Sequence, residues 1–360
     1  MGDILHALPA VTALRRAHPG WRIGWVVDPR WQALLAAGDR EQSARGEPLG
    51  IAAQEAEAGG QGGAQMPLQP PLIDRLHLAP VRDWKRRPFS PATLRQIGAL
   101  RSQLRAARYD AVLDLQGSIR SAVIARLSGC PRRIGEARPR EWPARWFSTE
   151  RIATEGAHVI EQDVELASAV AGDTLQALAP RLPIDPEAEA WCEAWLSERA
   201  GDRPLALLLP GAGWGAKRWP PDRYAAVARG LAERGFAVLI NAGPGEESLA
   251  EIVASGGAAT PVAVPLAQLI ALTRRMALCV GGDTGPLHLA CALGRPVVGL
   301  YGPTDPGRNG PYGARARVLR SPASRRDHTR RSAPEAGLLT ISPEDVLRAA
   351  GELLAELAQS

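Results

Sequence analysis

Four glycine-containing turns in the second half of this 360-residue chain carry groups suited to a phosphorylated ligand. In the first, Gly281-Gly282-Asp283-Thr284-Gly285-Pro286-Leu287-His288, an apolar run ends and a helix-like one begins. The first N–H groups of a helix have no partner inside it, and the helix dipole favours negative charge there, so such a turn is a natural phosphate cradle. Gly285 permits close backbone approach, Thr284 adds a hydroxyl, and the amides of residues 284–286 would face a departing diphosphate. His288 could donate to a phosphate. The second turn, Gly211-Ala212-Gly213-Trp214-Gly215-Ala216-Lys217, combines three glycines with a cation, although its spacing is not that of a Walker A loop. In the third, Ala242-Gly243-Pro244-Gly245-Glu246-Glu247, a carboxylate could accept from ribose hydroxyls. Residues 301–307 (YGPTDPG) make the fourth. Together they would converge on a nucleotide. The plainer alternatives are Asp283 as a helix cap, residues 211–220 as a surface loop, and His288 as a packed helix residue.

The tripeptide Asp283-Thr284-Gly285 also occurs in aspartic proteases, where it belongs to an all-β fold and to a pair of carboxylates. Here a strand-like run (277–281) precedes it and a helix-like run (286–293) follows, and the chain has no second Asp-Thr-Gly. That context is a βαβ unit, whose turns lie at the carboxyl edge of a parallel sheet.

The elements that must position these turns follow the same rhythm. Apolar runs at 205–209, 237–241, 277–281 and 296–301 alternate with helical stretches, as do runs at 22–28, 75–79 and 111–115 in the first half, which predicts parallel α/β sheets. The polar, proline-rich stretch 172–186 separates the halves. We place one domain at 1–175, a second at 176–341 and a C-terminal amphipathic helix at 342–360. Residues 38–70, rich in glycine and poor in large apolar side chains, are expected to be a flexible surface insertion. A net charge of +5 suits acidic ligands or an anionic membrane surface. The four cysteines form no CxxC pair, so zinc and redox motifs are unsupported, and no Asp-x-Asp is present to clamp a metal on a diphosphate. No apolar run approaches the length of a membrane span, and the N-terminus does not read as a signal peptide, so a cytoplasmic location is expected.

At this point the motifs resemble a known family. GGDTGPLHLACALGRPVVGLYGPTDPGRNGPYG (281–313), MGDILHALPAV (1–11), AKRWPPDRY (216–224) and YDAVLDLQGSIRSA (109–122) are similar, in order, to the signatures of the glycosyltransferase family 9 heptosyltransferases. The YGPTDPG form with the Met-Gly-Asp opening is closest to the members that add the first heptose to Kdo. The resemblance implies a GT-B architecture, two Rossmann-like domains facing across a cleft. It implies inverting transfer of heptose from ADP-heptose to a Kdo sugar of the lipopolysaccharide inner core, at the inner membrane's cytoplasmic face, with no cofactor, metal or nucleic acid. Family members carry a strand and small-residue turn before Met-Gly-Asp, so the N-terminal sheet is expected to lack its first strand. By motif, Asp3 matches the general base and Lys217 the lysine on the donor phosphates. Asp283, Thr284, Gly285 and His288 match the donor-site turn and helix start, Glu246 falls in the ribose-contacting segment, and Gly211 and Gly213 of the second turn are expected to join the donor site. Arg82, Trp84, Lys85, Arg86 and Arg87, with Gln116 and Arg120, are expected to meet the phosphates and carboxylates of a Kdo-lipid A acceptor. The alternatives are a family 9 enzyme with another acceptor, a nucleotide-sugar epimerase of the same architecture, and a non-catalytic nucleotide-sugar binder.

Overall fold

The computed structural model describes residues 1–37, 71–243, 245–313, 315–327, 329 and 331–359. The segment 38–70, expected to be an insertion, lies outside them. The chain forms two compact units: one of Ala10–Thr154 and Val164–Pro183, the other of Met1–Pro9, Glu155–Asp163 and Ile184–Ser360.

The chain opens with helix α1 (Gly2–Ala17), strand β1 (Gly24–Val27) and strand β2 (Arg75–Leu78). Helices α2 (Val81–Arg86) and α3 (Pro91–Ala107), strand β3 (Val112–Asp114) and helix α4 (Ile119–Leu127) follow. Strands β4 (Arg133–Glu136) and β5 (Glu150–Ile152) and helix α5 (Val159–Ala171) complete this half. β1 pairs with β2, and β3-β4-β5 form a separate sheet, all parallel. Among the described residues no strand joins the two sheets.

The turn into β1 is held by a partly buried ion pair that the sequence does not advertise. Arg15, 4% exposed, pairs with Asp74 and donates to the carbonyls of Pro19 (3.0 Å) and Trp21 (2.6 Å). Asp74 also accepts from Ile23 N at 2.6 Å, so one carboxylate ties the start of β1 to the residue before β2. The basic stretch 82–87 is a short helix and its cap rather than a loop.

The other unit is a doubly wound sheet. After helix α6 (Pro186–Arg199) come β6 (Leu205–Leu209), α7 (Pro221–Ala232), β7 (Ala237–Asn241), α8 (Glu247–Ala254) and β8 (Thr260–Val262). Then follow α9 (Leu266–Arg274), β9 (Leu278–Gly282), α10 (Gly285–Ala292) and β10 (Val297–Tyr301). Short α11 (Pro306–Asn309), β11 (Ala316–Arg320) and α12 (Pro343–Ala358) end the chain. The strands lie in the order β11-β10-β9-β6-β7-β8, all parallel. Read from the other edge this is 3-2-1-4-5-6, so the direction of winding reverses between β6 and β9, where such sheets bind ligands.

The four central strands are buried along their whole length, as a sheet covered on both faces requires. Side chains alternate: Ala206, Leu208, Val238, Ile240, Leu278, Val280, Val298 and Leu300 share a core with Val227 and Leu231 of α7 and Val346 and Leu353 of α12. Helix α12, read as a separate C-terminal element, is thus part of this core. The compact units divide at Pro183 and Ile184, where the sequence reading put the boundary at 175/176. Residues 1–9 and 155–163 cluster with the C-terminal unit, a long-range assignment that local composition does not encode.

Candidate functional site

The carboxyl ends of β6 and β9, neighbours at the switch point, deliver Lys217 and Asp283 to each other. After β6 the chain makes a turn of 3-10 helix, Gly215–Lys217, pinned by Ala216 N on Arg331 O (3.0 Å) and Glu335 N on Ala216 O (3.1 Å). A Cβ at Gly215 would lie 1.7 Å from the Ser332 carbonyl oxygen, so only glycine fits this approach. Buried Trp219 closes the turn by donating to Ile341 O at 3.1 Å, with Tyr224 edge-on against it. Within β9, glycine is required again, because a Cβ at Gly281 would sit 2.6 Å from the Leu209 Cβ.

Lys217 Nζ pairs with Asp283 Oδ2 and sits 4.1 Å above the Trp214 ring. His288 Nε2 lies 2.9 Å from Asp283 Oδ1. Asp283 is therefore not the cap of α10. Thr284 holds that position, without a side-chain cap bond, and its hydroxyl is buried with no partner among the described residues. Burial would raise the Asp283 carboxyl, but the hydrogen bond from His288 and the ammonium of Lys217 hold it well below the usual carboxylate range. One correction concerns the cradle: of residues 284–286, Pro286 has no N–H, so the first-turn donors of α10 are Thr284, Gly285 and Leu287. His288 also departs from expectation. Both its ring nitrogens face protein groups, Asp283 on one side and His6 on the other, 3.3 Å from Nδ1.

Glu246 joins two turns. Its carboxylate accepts from Ala212 N (3.2 Å) and Gly243 N (3.0 Å), and Arg218 is 3.7 Å away. A Cβ at Gly211 would fall 2.0 Å from Glu246 Oε2, so the β6 turn closes against this carboxylate. Gly213 has open space around it. At the end of β10, Tyr301 and Thr304 are buried with unpartnered hydroxyls among the described residues.

Asp3 is exposed in the first turn of α1. Its neighbour Gly2 lies against His288, where a Cβ would be 3.4 Å from Cδ2, and Met1 fills the space over Gly285. The structure therefore brings Lys217, Asp283, Thr284, Gly285 and His288 to one place in this unit, with the first turn of α1 on top of them. His6 and His158 complete the cluster and were missed in the sequence. Each is an isolated histidine whose neighbours are remote in the chain.

The acceptor candidates lie in the other unit, on two elements. Arg82, Lys85 and Arg86 are exposed on α2, with Arg87 at its cap. Trp84 faces inward, packs on Ala79, Leu100 and Leu104, and donates to Gln96 Oε1 at 2.9 Å. Gln116 and Arg120 flank the start of α4. That turn is shaped by buried Asp114, which accepts from Gln116 N, Gly117 N and Ser121 Oγ, with Gly117 at φ +61°.

Two parallel α/β units, one with a nucleotide-type switch point carrying a lysine–carboxylate–histidine cluster, are an architecture of the GT-B type, and the comparisons with known proteins make it that of a glycosyltransferase. Residues 97–338 match the model of glycosyltransferase family 9 (heptosyltransferase). Lipopolysaccharide heptosyltransferase 1 of Escherichia coli strain K12 is 30% identical over 330 residues, 89% of this chain and 91% of that protein. The protein of that name from Pseudomonas aeruginosa PAO1 is 26% identical over 319 residues, 87% and 79% of the two chains. The solved E. coli heptosyltransferase WaaC with ADP superposes with a TM-score of 0.73 at 25% identity, covering 98% of this chain and 97% of that one. The family 9 enzyme from Veillonella parvula gives 0.76 at 23% identity, covering 99% and 95%. The chain belongs to glycosyltransferase family 9, the heptosyltransferases.

Proposed function

We propose that this chain transfers heptose from ADP-heptose to a Kdo sugar of the lipopolysaccharide inner core, with inversion at the anomeric carbon. The observation that carries the reading is the Lys217–Asp283–His288 cluster at the switch point, beside the first turn of α1. Relatives named heptosyltransferase 1 and the ADP complex of WaaC support the substrate class.

In the proposed step, Lys217 and the amides of Thr284, Gly285 and Leu287 stabilise charge on the departing ADP, where preorganised donors act most strongly. Gly211 and Gly213 let the backbone approach the nucleotide. The Glu246 oxygens, each with two lone pairs, retain capacity for a ribose hydroxyl beside their amide partners. Asp3 takes the acceptor hydroxyl proton as that oxygen bonds to the anomeric carbon and the bond to ADP breaks on the opposite face. Such a base contributes about 10²–10⁴ in rate. Arg82, Lys85, Arg86, Arg87, Gln116 and Arg120 meet the anionic acceptor, and Trp84 supports α2 from beneath.

We also propose peripheral association with an anionic membrane. Trp142 and Trp146 are 54% and 69% exposed, and the Arg145 guanidinium lies 4.1 Å over the Trp142 ring. Amphipathic aromatics and cations of this kind suit the headgroup layer. One experiment tests both claims: ADP-heptose supplied to the protein with Kdo-lipid A in anionic vesicles, assayed for product and for sedimentation with the vesicles. Heptosylated product and co-sedimentation are expected, and Asp3→Ala should abolish transfer while sparing ADP binding. Isomerised nucleotide-sugar, or binding without turnover, would replace this reading with an epimerase or a binder.

A further inference from the structure

The proposed chemistry leaves His6 without a role, yet His6 is the group that touches both halves of the cluster. Its Nε2 is 3.3 Å from His288 Nδ1, and the two rings meet edge to face with centroids 4.5 Å apart. On the far side His158 stands edge-on to His6 at 5.9 Å. The His158 ring is itself fixed: Nδ1 accepts from Ile160 N at 3.1 Å, which leaves Nε2 to donate to Gly310 O at 3.0 Å. His6 is thus held between a fixed ring and His288.

The proton arrangement follows from the partners. Asp283, ionised through its pairing with Lys217, only accepts, so His288 Nε2 carries hydrogen. His288 Nδ1 is then the nitrogen left to His6, and a hydrogen bond at that position holds the other tautomer out. A metal-bound or catalytic histidine is oriented in the same manner by the partner of its second nitrogen. His6 also lies three residues after Asp3, on the same side of α1.

We infer that His6 is a positioning residue: its bond to His288 Nδ1 keeps Nε2–H on Asp283, holds the Asp283 carboxylate on Lys217, and seats the turn of α1 that carries Asp3 against α10. The inference about catalysis rests on the proposed transferase reading; the inference about ring geometry does not.

The test combines His6→Leu, which keeps bulk and removes the bond, with His6→Gln, whose side-chain amide can donate from nearly the position of Nε2. Histidine-labelled protein is followed by long-range ¹H–¹⁵N NMR, alongside ADP titration and transfer kinetics. In the wild type, the His288 signals should show hydrogen on Nε2 and a hydrogen-bonded Nδ1. In His6→Leu the Nδ1 signal should move to the position of an unbonded nitrogen and the Nε2–H signal should broaden as the ring loosens from Asp283, with ADP affinity and kcat each down roughly tenfold or more, as for loss of a bond into a charged network. His6→Gln should restore the wild-type pattern and most of both losses. Hydrogen on His288 Nδ1 in the wild type, or a His6→Leu protein with unchanged signals and kinetics, would overturn the inference, and the first of these needs no variant to fold. Failure of the proposed function would look different: the NMR shift and weakened ADP binding in His6→Leu, with no heptose transfer by either protein.

Discussion

At the residue scale the decisive pair is Lys217 and Asp283. Both are nearly enclosed, with side chains 12% and 8% exposed, so their attraction is little screened and neither tolerates loss of the other. Lys217→Ala is expected to leave a buried carboxylate with His288 alone and to remove the cation facing the departing diphosphate. Steady-state kinetics should show kcat/KM down by about 10²–10³, the range for losing one preorganised electrostatic donor. Lys217→Arg should not rescue it, because a planar fork does not occupy the place of a compact ammonium over Trp214. A loss below threefold in Lys217→Ala would remove the lysine from the mechanism. The sequence made each residue visible singly, because each follows a strand in a glycine-bearing turn. Their pairing was not legible, nor was His6, whose partner is 282 positions away.

At the element scale, Glu246 acts as a clip between the turns after β6 and β7. One oxygen takes the amide of Ala212 and the other that of Gly243, and Gly211 is the only residue type that leaves room for it. Gly211→Ala would place a methyl carbon 2.0 Å from Oε2, and the clip must then swing away. Glu246→Gln keeps one acceptor and loses the second, since an amide nitrogen cannot accept. ADP titration should therefore rank wild type above Glu246→Gln and Glu246→Gln above Gly211→Ala, with the last weaker by roughly tenfold, the cost of about one hydrogen bond to a charged group. Equal affinities in all three would mean the clip plays no part in holding the nucleotide. The strands that flank these turns were legible because they are long, apolar and buried on both faces. Missed were β4, β5, β8 and β11, which are short or lie at the sheet edge, and whose burial patterns give no continuous apolar run.

At the scale of the whole molecule, the doubly wound unit could be read from the strand rhythm, but the membership of residues 1–9 and 155–163 could not. That assignment goes with long-range contacts, His6 of α1 on His288 of α10 and His158 on the Gly310 carbonyl, and it gathers three histidines, His6, His158 and His288, in one unit.

The gathering has a consequence for stability. Burial, with the neighbouring His288 and His158, pushes the His6 pKa down to about 2, and burial likewise lowers His158 and, in the other unit, His77. Each of these groups is neutral when folded and takes a proton in the unfolded chain below about 6.5. The unfolded state then binds more protons, so stability present above about 6.5 is lost progressively as pH falls, down to the folded pKa. Asp114 works the other way, because burial raises its carboxyl and the folded state gains protons first on acidification. It is one group against three, His6, His158 and His77. Between pH 7.5 and 5.5 the histidines should therefore dominate. Urea unfolding is expected to show a lower midpoint at pH 5.5 than at 7.5, and the difference should shrink in His158→Gln, which removes one of the linked groups. A midpoint that is flat or rises on acidification would mean that these histidines protonate as readily in the folded protein as in the unfolded chain. The tautomer fixed by Ile160 N and Gly310 O would then not describe His158 in solution.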